Sequence, residues 1–270
     1  MTLAGLRPAV PGRWTVSLVH YADRDGVRGQ HFGDHDEHAG EPHPTAYFAW
    51  LLVGTDEVVL VDTGIGPERA AGVAGLRYRG SPVALLGDVG LSAGDVDRCV
   101  LTHLHYDHAG CVRDLPRAGF VVQRAELDYW TGPIARRIRR EHWLHEAADT
   151  AHVVAATAAG RGAVLDGDAE LADGLSVHLV GGHTAGTQVV RVVTAAGPVV
   201  VASDASHFYE NLETDRPGPL RHTTGLVHTA YDRVRELGEG GPGFLPGHDP
   251  EVLERFPALP GSAGAVVRVA

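Results

Sequence analysis

Four side chains of metal-ligand type lie within six consecutive residues of this chain, and this cluster constrains the fold more than any other feature. The segment reads His-x-His-x-Asp-His and begins one residue after the apolar residues 100–101. At the spacing of a β-strand, His103 and His105 face the same way. A turn after them can bring Asp107 and His108 toward a second point. The pattern predicts a strand that ends at a site for two metal ions.

Three further motifs can supply the ligands that this segment lacks. They are Gly-His-Thr at His183, Ser-Asp at Asp204 and Gly-His-Asp at His248. Each follows an apolar run, and loops at the ends of strands gather at one edge of a sheet, where sites are built. The chain has 17 histidines, and those outside the motifs, His207 excepted, are interpreted as ordinary surface or core residues.

Short runs typical of β-strands recur along the chain, at 14–21, 47–54, 58–64, 98–103, 119–123, 175–180, 187–195 and 197–205. Helical stretches are predicted at 123–131, 134–159 and 224–237. Many hairpin-like strands with interspersed helices favour a layered α/β sandwich over a doubly wound sheet. Because no linker rich in proline, glycine or serine divides the chain, the sequence predicts one domain, 1–270.

The segment 31–44, HFGDHDEHAGEPHP, is polar and contains four histidines and two prolines. This composition predicts a loop. A solvated loop is one interpretation, and a lid over the site is the other.

The charge balance argues against nucleic acid as a partner. The 23 basic and 34 acidic side chains give a net charge of −11, which repels phosphate backbones. Only Cys99 and Cys111 are present, so neither a disulfide framework nor a thiolate zinc site is predicted. No export signal and no membrane span is found in the sequence. We therefore expect a cytoplasmic protein that acts on a small molecule.

The order of the four motifs resembles the ligand pattern of metallo-β-lactamase-fold hydrolases over residues 47–249. More narrowly, HLHYDHAG, SDAS and PGHDP are similar to motifs of the N-acyl homoserine lactone lactonases. The resemblance implies an αβ/βα four-layer sandwich with two facing sheets and helices outside. It also implies two ligand sets: His103, His105 and His183 for one metal, Asp107, His108 and His248 for the other, and Asp204 as the bridge between them.

The resemblance further implies the identity of the metal and a residue that supports the ligands. Zinc is the first choice, because imidazole and carboxylate suit Zn²⁺, but iron, manganese or cobalt suits the same donors. Asp62, in Val-Leu-Val-Asp-Thr-Gly, is similar to an early turn of the family. There the carboxylate holds a ligating imidazole through its other nitrogen, and a plain turn-forming aspartate is the alternative.

The chemistry implied by the resemblance is hydrolysis by a hydroxide that bridges the two metals. Two divalent ions lower the pKa of a shared water from about 15.7 toward 7, and one of them polarises the carbonyl. Asp107 is then expected to pass a proton to the leaving alkoxide. A lactone, ester or thioester would open in this way.

One position departs from the lactonase pattern. In the lactonases a tyrosine three residues after the bridging aspartate helps to hold a substrate oxygen, and here that residue is His207. Tyr209, two residues further on, is the second candidate for this role. Simple packing of the loop is the alternative for both.

Aromatic residues near the motif are candidates for an acyl pocket. Tyr106, Trp130 and Trp143 are the ones expected to bind substrate. Aromatic residues at such positions also pack helices in protein cores, and that alternative stays open.

Three functions are compatible with these observations. The first is a hydrolase for a lactone or related ester, with quenching of an acyl homoserine lactone signal as one role. The second is a thioesterase of the glyoxalase II type on the same scaffold. The third is a metal-binding protein without catalytic activity. The sequence leaves the natural substrate and the oligomeric state open.

Overall fold

Two β-sheets dominate the computed structural model, which describes residues 3–8, 10–262 and 264–270. Within these ranges the strands are β1 (Thr15–Arg24), β2 (Thr45–Val53), β3 (Val58–Val61), β4 (Leu76–Tyr78), β5 (Arg98–Val100), β6 (Gly119–Gln123), β7 (Gly162–Leu165), β8 (Ala169–Ala172), β9 (Leu175–Leu179), β10 (Gln188–Thr194), β11 (Gly197–Ser203), β12 (Gly243–Pro246) and β13 (Val266–Arg268).

The helices of the same ranges are short except for two. They are α1 (Leu3–Leu6), α2 (Pro67–Ala71), α3 (Pro82–Leu85), α4 (Tyr106–Ala109), α5 (Arg124–Thr131), α6 (Ala147–Ala158), α7 (Tyr209–Glu213), α8 (Thr224–Leu237) and α9 (Glu251–Arg255). Short 3-10 helices cover Arg28–Gln30, Leu86–Val89, Ala93–Asp95, Val112–Asp114, Ala135–Arg137 and Arg139–Leu144. In the part of the chain so described, no helix is long and apolar enough to cross a membrane.

The first sheet has the strand order β13-β1-β2-β3-β5-β6-β7, with β4 paired to β1, and the second has the order β12-β11-β10-β9-β8. Strands β3, β5, β6 and β7 run parallel, as do β11 and β12. The carboxyl ends of neighbouring parallel strands lie at the same edge of a sheet, so the loops that follow them come together. This edge is where open α/β sheets place their sites.

Strand β2 shows why this sequence forms an interior sheet. All nine of its residues are buried, and alternate side chains point to opposite faces of a strand. Phe48 and Trp50 accordingly pack in the core between the two sheets. Ala49 and Leu51 pack in the core between the first sheet and its helices. A continuous apolar run is typical of a strand that is covered on both faces.

Helices cover the outer face of each sheet. Val153 of α6 packs in the core of the first sheet, and Val234 of α8 packs with Val200 of the second sheet. The buried residues of α8 recur at the three- and four-residue spacing that places them on one helix face. The αβ/βα four-layer sandwich that the sequence predicts is confirmed.

The long helix predicted for 134–159 is wrong in its first half. Residues 135–144 form two 3-10 helices, and α6 begins only at Ala147. The fully buried residues of the first half are Ala135 and Leu144, which are too far apart to form the continuous apolar stripe that stabilises an α-helix.

Candidate metal centre

The side chains predicted to bind metal lie where strands end. His103 and His105 follow β5, Asp107 and His108 lie on α4, His183 lies between β9 and β10, Asp204 directly follows β11, and His248 follows β12. They come from both sheets, so the sandwich has to form before the centre exists.

These seven side chains converge in two groups. His103, His105, His183 and Asp204 form the first group, and Asp107, His108 and His248 form the second. Within each group, one nitrogen or oxygen atom per side chain lies within 4.8 Å of the others. Each group can therefore surround one metal ion.

Asp204 presents a different oxygen to each group. Its Oδ2 lies 3.3 Å from Nε2 of His183 in the first group. Its Oδ1 lies 3.4 Å from Nε2 of His108 and 3.2 Å from Nε2 of His248 in the second group. This is the arrangement that a carboxylate needs in order to bridge two cations.

Three buried atoms at the centre make no hydrogen bond to the described residues. Across the described ranges, Nε2 of His103, Nε2 of His108 and Oδ1 of Asp204 are buried without a hydrogen bond. Nε2 of His183 faces Nδ1 of His105 at 3.1 Å. Buried polar atoms are nearly always paired, and a cation between these nitrogen and oxygen donors would pair them. The set suits zinc or another divalent transition metal, so the residues fit two metal ions.

The outer nitrogens of the rings set their orientation. Nδ1 of His183 donates to the carbonyl oxygen of Leu220 at 3.2 Å, and Nδ1 of His248 donates to that of Ala46 at 2.9 Å. An imidazole with its proton on Nδ1 has a lone pair on Nε2. The lone pairs of both rings therefore point into the centre.

Burial keeps the three histidines of the first group neutral. It lowers the pKa of His103 and His105 well below the ordinary histidine value, and neighbouring imidazoles lower it further. Burial also lowers the pKa of His183 to about 3. For Asp204, burial raises the pKa, but nearby imidazoles outweigh this and hold it well below the usual range. Neutral imidazole and ionised carboxylate are the forms that bind metal.

Asp62 holds one imidazole of the second group from behind. It follows β3 and adopts a left-handed conformation with φ of 61°, which aspartate tolerates better than most residues. Its Oδ2 accepts hydrogen bonds from Nδ1 of His108 at 2.8 Å and from Oγ of Ser203 at 3.2 Å. The amide and the hydroxyl of Thr102 both donate to the carboxylate at 2.7 Å. This is the contact with a histidine that the Asp-Thr-Gly motif led us to expect.

Glu126 is a second buried carboxylate beside the centre, and the sequence did not reveal it. Its Oε1 accepts from the amide of Leu104 at 2.9 Å and from Nε1 of Trp130 at 2.8 Å. Its Oε2 accepts from the hydroxyl of Thr184 at 2.6 Å and from the amide of Gly186 at 2.8 Å. Leu104 and Thr184 are next to candidate ligands, so Glu126 holds two ligand-bearing loops together. Nothing in the sequence distinguishes it from an exposed glutamate of an amphipathic helix.

A cavity of about 440 Å³ opens beside the centre. Asp107 and His207 line it together with Tyr106 and Trp143. Nε2 of His207 lies 3.1 Å from Oδ2 of Asp204, so the residue at the position of the lactonase tyrosine reaches the candidate ligands.

Two residues expected at the site do not line this cavity. The ring of Trp130 stacks on His145 at 4.5 Å and meets the ring of His105 edge-on at 5.7 Å. The ring of Tyr209 packs under the guanidinium of Arg255 at 3.5 Å and against Phe244 at 5.1 Å. Because α7 begins at Tyr209 and turns this ring into the core between the sheets, the side chain does not reach the cavity.

The segment 31–44 is held to its surroundings by ion pairs. Asp36 pairs with Arg28 at 3.0 Å, and Asp34 pairs with Arg216 at 3.1 Å. His31, at its beginning, lines the cavity, although the sequence reading treated it as an ordinary residue. That this segment acts as a lid stays a prediction, with a solvated loop as the alternative.

Two further lining residues were missed from the sequence. Tyr47 packs its ring against His248 at a centroid distance of 5.0 Å, and Arg24 lies at the end of the neighbouring strand. Both are in strands and outside any motif, so only the pairing of β1 with β2 brings them to the cavity.

Comparison with known proteins agrees with this geometry. The family model described as the metallo-beta-lactamase superfamily matches residues 44–251. Curated relatives include the N-acyl homoserine lactonase AiiB of Agrobacterium fabrum, 29% identical over 234 residues that cover 75% of this chain and 79% of the relative. Another is the N-acyl homoserine lactonase AiiA of Bacillus thuringiensis subsp. kurstaki, 27% identical over 186 residues that cover 63% of this chain and 68% of the relative.

Solved structures share the fold. An N-acyl homoserine lactone hydrolase with the product N-hexanoyl-L-homoserine at its catalytic metal centre matches with a TM-score of 0.75 and 19% identity, over 91% of this chain and 97% of that one. AidC, a dizinc quorum-quenching lactonase, matches with a TM-score of 0.70 and 16% identity, over 93% and 90% of the two chains.

Proposed function

The chain belongs to the metallo-beta-lactamase superfamily, and from this premise we propose that it is a dinuclear-metal hydrolase that opens the ester bond of a small lactone. The observation that carries the proposal is the position of Asp204, which presents one oxygen to each of two groups of buried ligand-type side chains. The curated relatives are N-acyl homoserine lactonases, which makes an acyl homoserine lactone the first substrate to test.

The residues that would hold the ions are those of the two groups. His103, His105 and His183 would bind one ion, Asp107, His108 and His248 the other, and Asp204 both. Zinc is proposed because imidazole and carboxylate donors suit it. When bound, such ions polarise a carbonyl and lower the pKa of water toward neutrality.

Asp107 is proposed to transfer a proton from the attacking water to the ring oxygen of the lactone. Its carboxylate lines the cavity and lies 3.9 Å from Nε2 of both His108 and His248. Oδ1 of Asp204 lies closer to the same two nitrogen atoms, at 3.4 and 3.2 Å. A carboxylate held as loosely as that of Asp107 can accept a proton from the attacking water while the new carbon–oxygen bond forms. It can return the proton to the ring oxygen as the ester bond breaks, which leaves a hydroxy acid.

His207 is proposed to hold a substrate oxygen. Its ring lines the cavity and reaches Asp204, so an oxygen bound near that carboxylate lies within reach of an imidazole N–H. This is the role that the lactonase pattern assigns to a tyrosine, and a histidine can donate a hydrogen bond equally well.

The first experiment combines elemental analysis of the purified protein with an assay panel. The panel contains acyl homoserine lactones, simple γ- and δ-lactones, and acyl thioesters. About two metal ions per chain together with lactone opening supports the proposal. Cleavage of thioesters alone moves the protein to the glyoxalase II type. Failure to bind metal under any loading condition refutes the proposal.

The variant Asp107→Asn separates proton transfer from folding. We expect a fall in kcat of about 100-fold or more, the usual contribution of general acid–base catalysis, with the metal content retained. Asp166→Asn is the matched control, because that side chain is 82% exposed and pairs with Arg124 away from the cavity. Full activity of Asp107→Asn contradicts the proposed role.

A further inference from the structure

The cavity beside the metal centre contains one fixed positive charge. Among the described residues that line it, Arg24 is the only arginine or lysine. His31 also lines the cavity, but burial lowers its pKa to about 3, so this imidazole is neutral at physiological pH. Arg24 is exposed where it lines the cavity, so its guanidinium is solvated unless an acid or a ligand pairs with it.

Within the described ranges, the guanidinium of Arg24 has no carboxylate within ion-pair distance. The acidic residues on either side of it in sequence are occupied by other groups. Asp23 lies 2.8 Å from Nε2 of His20, and Asp25 pairs with Arg77 at 2.9 Å. Arg28, four residues further along the chain, does pair with acids. Among the described residues, Arg24 therefore has no acid partner and can pair with a ligand.

Strand pairing places this cation close to the metal centre. Arg24 pairs with Thr45 across β1 and β2, and Tyr47 lies two residues along β2 with its ring against His248. Tyr106 also lines the cavity, so the guanidinium shares this wall with two phenols.

We propose that Arg24 binds an anionic group of the substrate, so the preferred substrate is a lactone that also carries a carboxylate. This inference rests on the proposed lactone hydrolysis and narrows its substrate class. A guanidinium forms two parallel hydrogen bonds with a carboxylate, which gives both affinity and orientation. A neutral lactone would leave this group unused.

Two pairs of lactones test the proposal, each with a methyl group replaced by a carboxylate at the same carbon. The first pair is γ-valerolactone and 5-oxotetrahydrofuran-2-carboxylate. The second is N-hexanoyl homoserine lactone and its adipoyl counterpart. We expect the metal-loaded enzyme to favour the anionic member of at least one pair by about tenfold in kcat/KM, as a charged hydrogen bond supports.

Variants at Arg24 assign the preference to its charge. In Arg24→Met, the ratio of kcat/KM for the anionic lactone to kcat/KM for the neutral lactone falls toward one, because KM for the anionic lactone rises. In Arg24→Lys, part of this preference remains. Arg124→Met is the matched control, because Arg124 is an exposed arginine outside the cavity, and it keeps the preference. Equal use of both members in both pairs, or a preference that survives Arg24→Met, overturns the inference.

A binding measurement tests Arg24 independently of turnover. Calorimetry compares 2-hydroxyglutarate with 4-hydroxypentanoate, the ring-opened forms of the first pair, on the wild type and on Arg24→Met. Tighter binding of the dicarboxylate that is lost in the variant supports the inference, and equal binding overturns it. If no lactone is hydrolysed but the dicarboxylate still binds more tightly to the wild type than to Arg24→Met, the proposed lactone hydrolysis is refuted and the role of Arg24 in anion binding is not.

Discussion

Two buried carboxylates support the candidate metal centre, and they do so in different ways. Asp62 contacts a candidate ligand directly, because Nδ1 of His108 donates to it. Glu126 makes no hydrogen bond to a candidate ligand side chain among the described residues and instead accepts hydrogen bonds from groups beside them, among them the amide of Leu104 and the hydroxyl of Thr184. Each carboxylate accepts four hydrogen bonds, so the number of contacts does not distinguish them.

The difference lies in what each carboxylate controls. Asp62 accepts a hydrogen bond from one imidazole, and a carboxylate in this position would strengthen the ring as a metal ligand, which is an effect on metal affinity. Glu126 holds the loop after β5 to the loop after β9, which is an effect on the folded backbone. We therefore expect loss of Glu126 to reduce stability and loss of Asp62 to reduce metal binding.

The largest effect is expected for Glu126→Ala. Removal of the carboxylate leaves four buried donors without an acceptor, and at about 1 kcal/mol each the free energy of unfolding should fall by about 4 kcal/mol. Denaturant unfolding in the presence of a chelator measures this without a contribution from metal. Glu170→Ala, at an exposed position of β8, is the control and should change it by less than about 0.5 kcal/mol. A loss below about 1 kcal/mol for Glu126→Ala would refute the role assigned to it.

A smaller effect, on a different quantity, is expected for Asp62→Asn. The amide cannot accept all four hydrogen bonds, and the affinity for the ion near His108 should fall about 10- to 100-fold. Competition with a chromophoric chelator measures both ions in sequence, and Asp232→Asn, with a side chain 78% exposed, is the control. An equal loss of affinity for both ions would mean that Asp62 acts on the centre as a whole, and the contrast with Glu126 would be lost.

Trp130→Phe tests whether an aromatic residue belongs to the support or to the cavity. The substitution removes the N–H that donates to Glu126, and we expect a loss of stability of about 1 kcal/mol with KM for a lactone unchanged. Trp143→Ala, at a cavity residue 53% exposed, should raise KM with little change in stability. A change of KM in Trp130→Phe would return that ring to the substrate site.

The smallest effect is expected for Ser203→Ala. Its hydroxyl donates the longest of the four hydrogen bonds to Asp62, at 3.2 Å, and three donors remain. Stability should fall by about 0.5–1 kcal/mol, and the metal content should not change. Loss of one ion in this variant would show that metal binding requires the hydrogen bond from Ser203 to Asp62 in addition to the other three.

The sequence predicted those features of the fold that depend on residues close together in the chain. Apolar runs predicted eight strands that the structure contains, and α5 and α8 lie where helices were expected. The order of ligand-type residues at the ends of these runs led to the sandwich fold, which is confirmed, and to seven candidate ligands that converge in the structure. The sequence did not reveal that the rings of Tyr209 and Trp130 pack outside this cavity, because a sequence position does not show on which side of a helix or turn a ring will pack.

By itself, the sequence determined eight of the strands and the ligand-type residues that follow them, because strand alternation and ligand motifs depend on neighbours along the chain. Only the tertiary structure decided that Glu126 joins two loops, that Arg24 lines the cavity with no ion-pair partner among the described residues, and that the two oxygens of Asp204 face different groups. These relations join residues far apart in sequence, such as Glu126 and Gly186, 60 positions apart. They arise only when the two sheets pack, because burial brings together groups whose hydrogen bonds and charges no local pattern records.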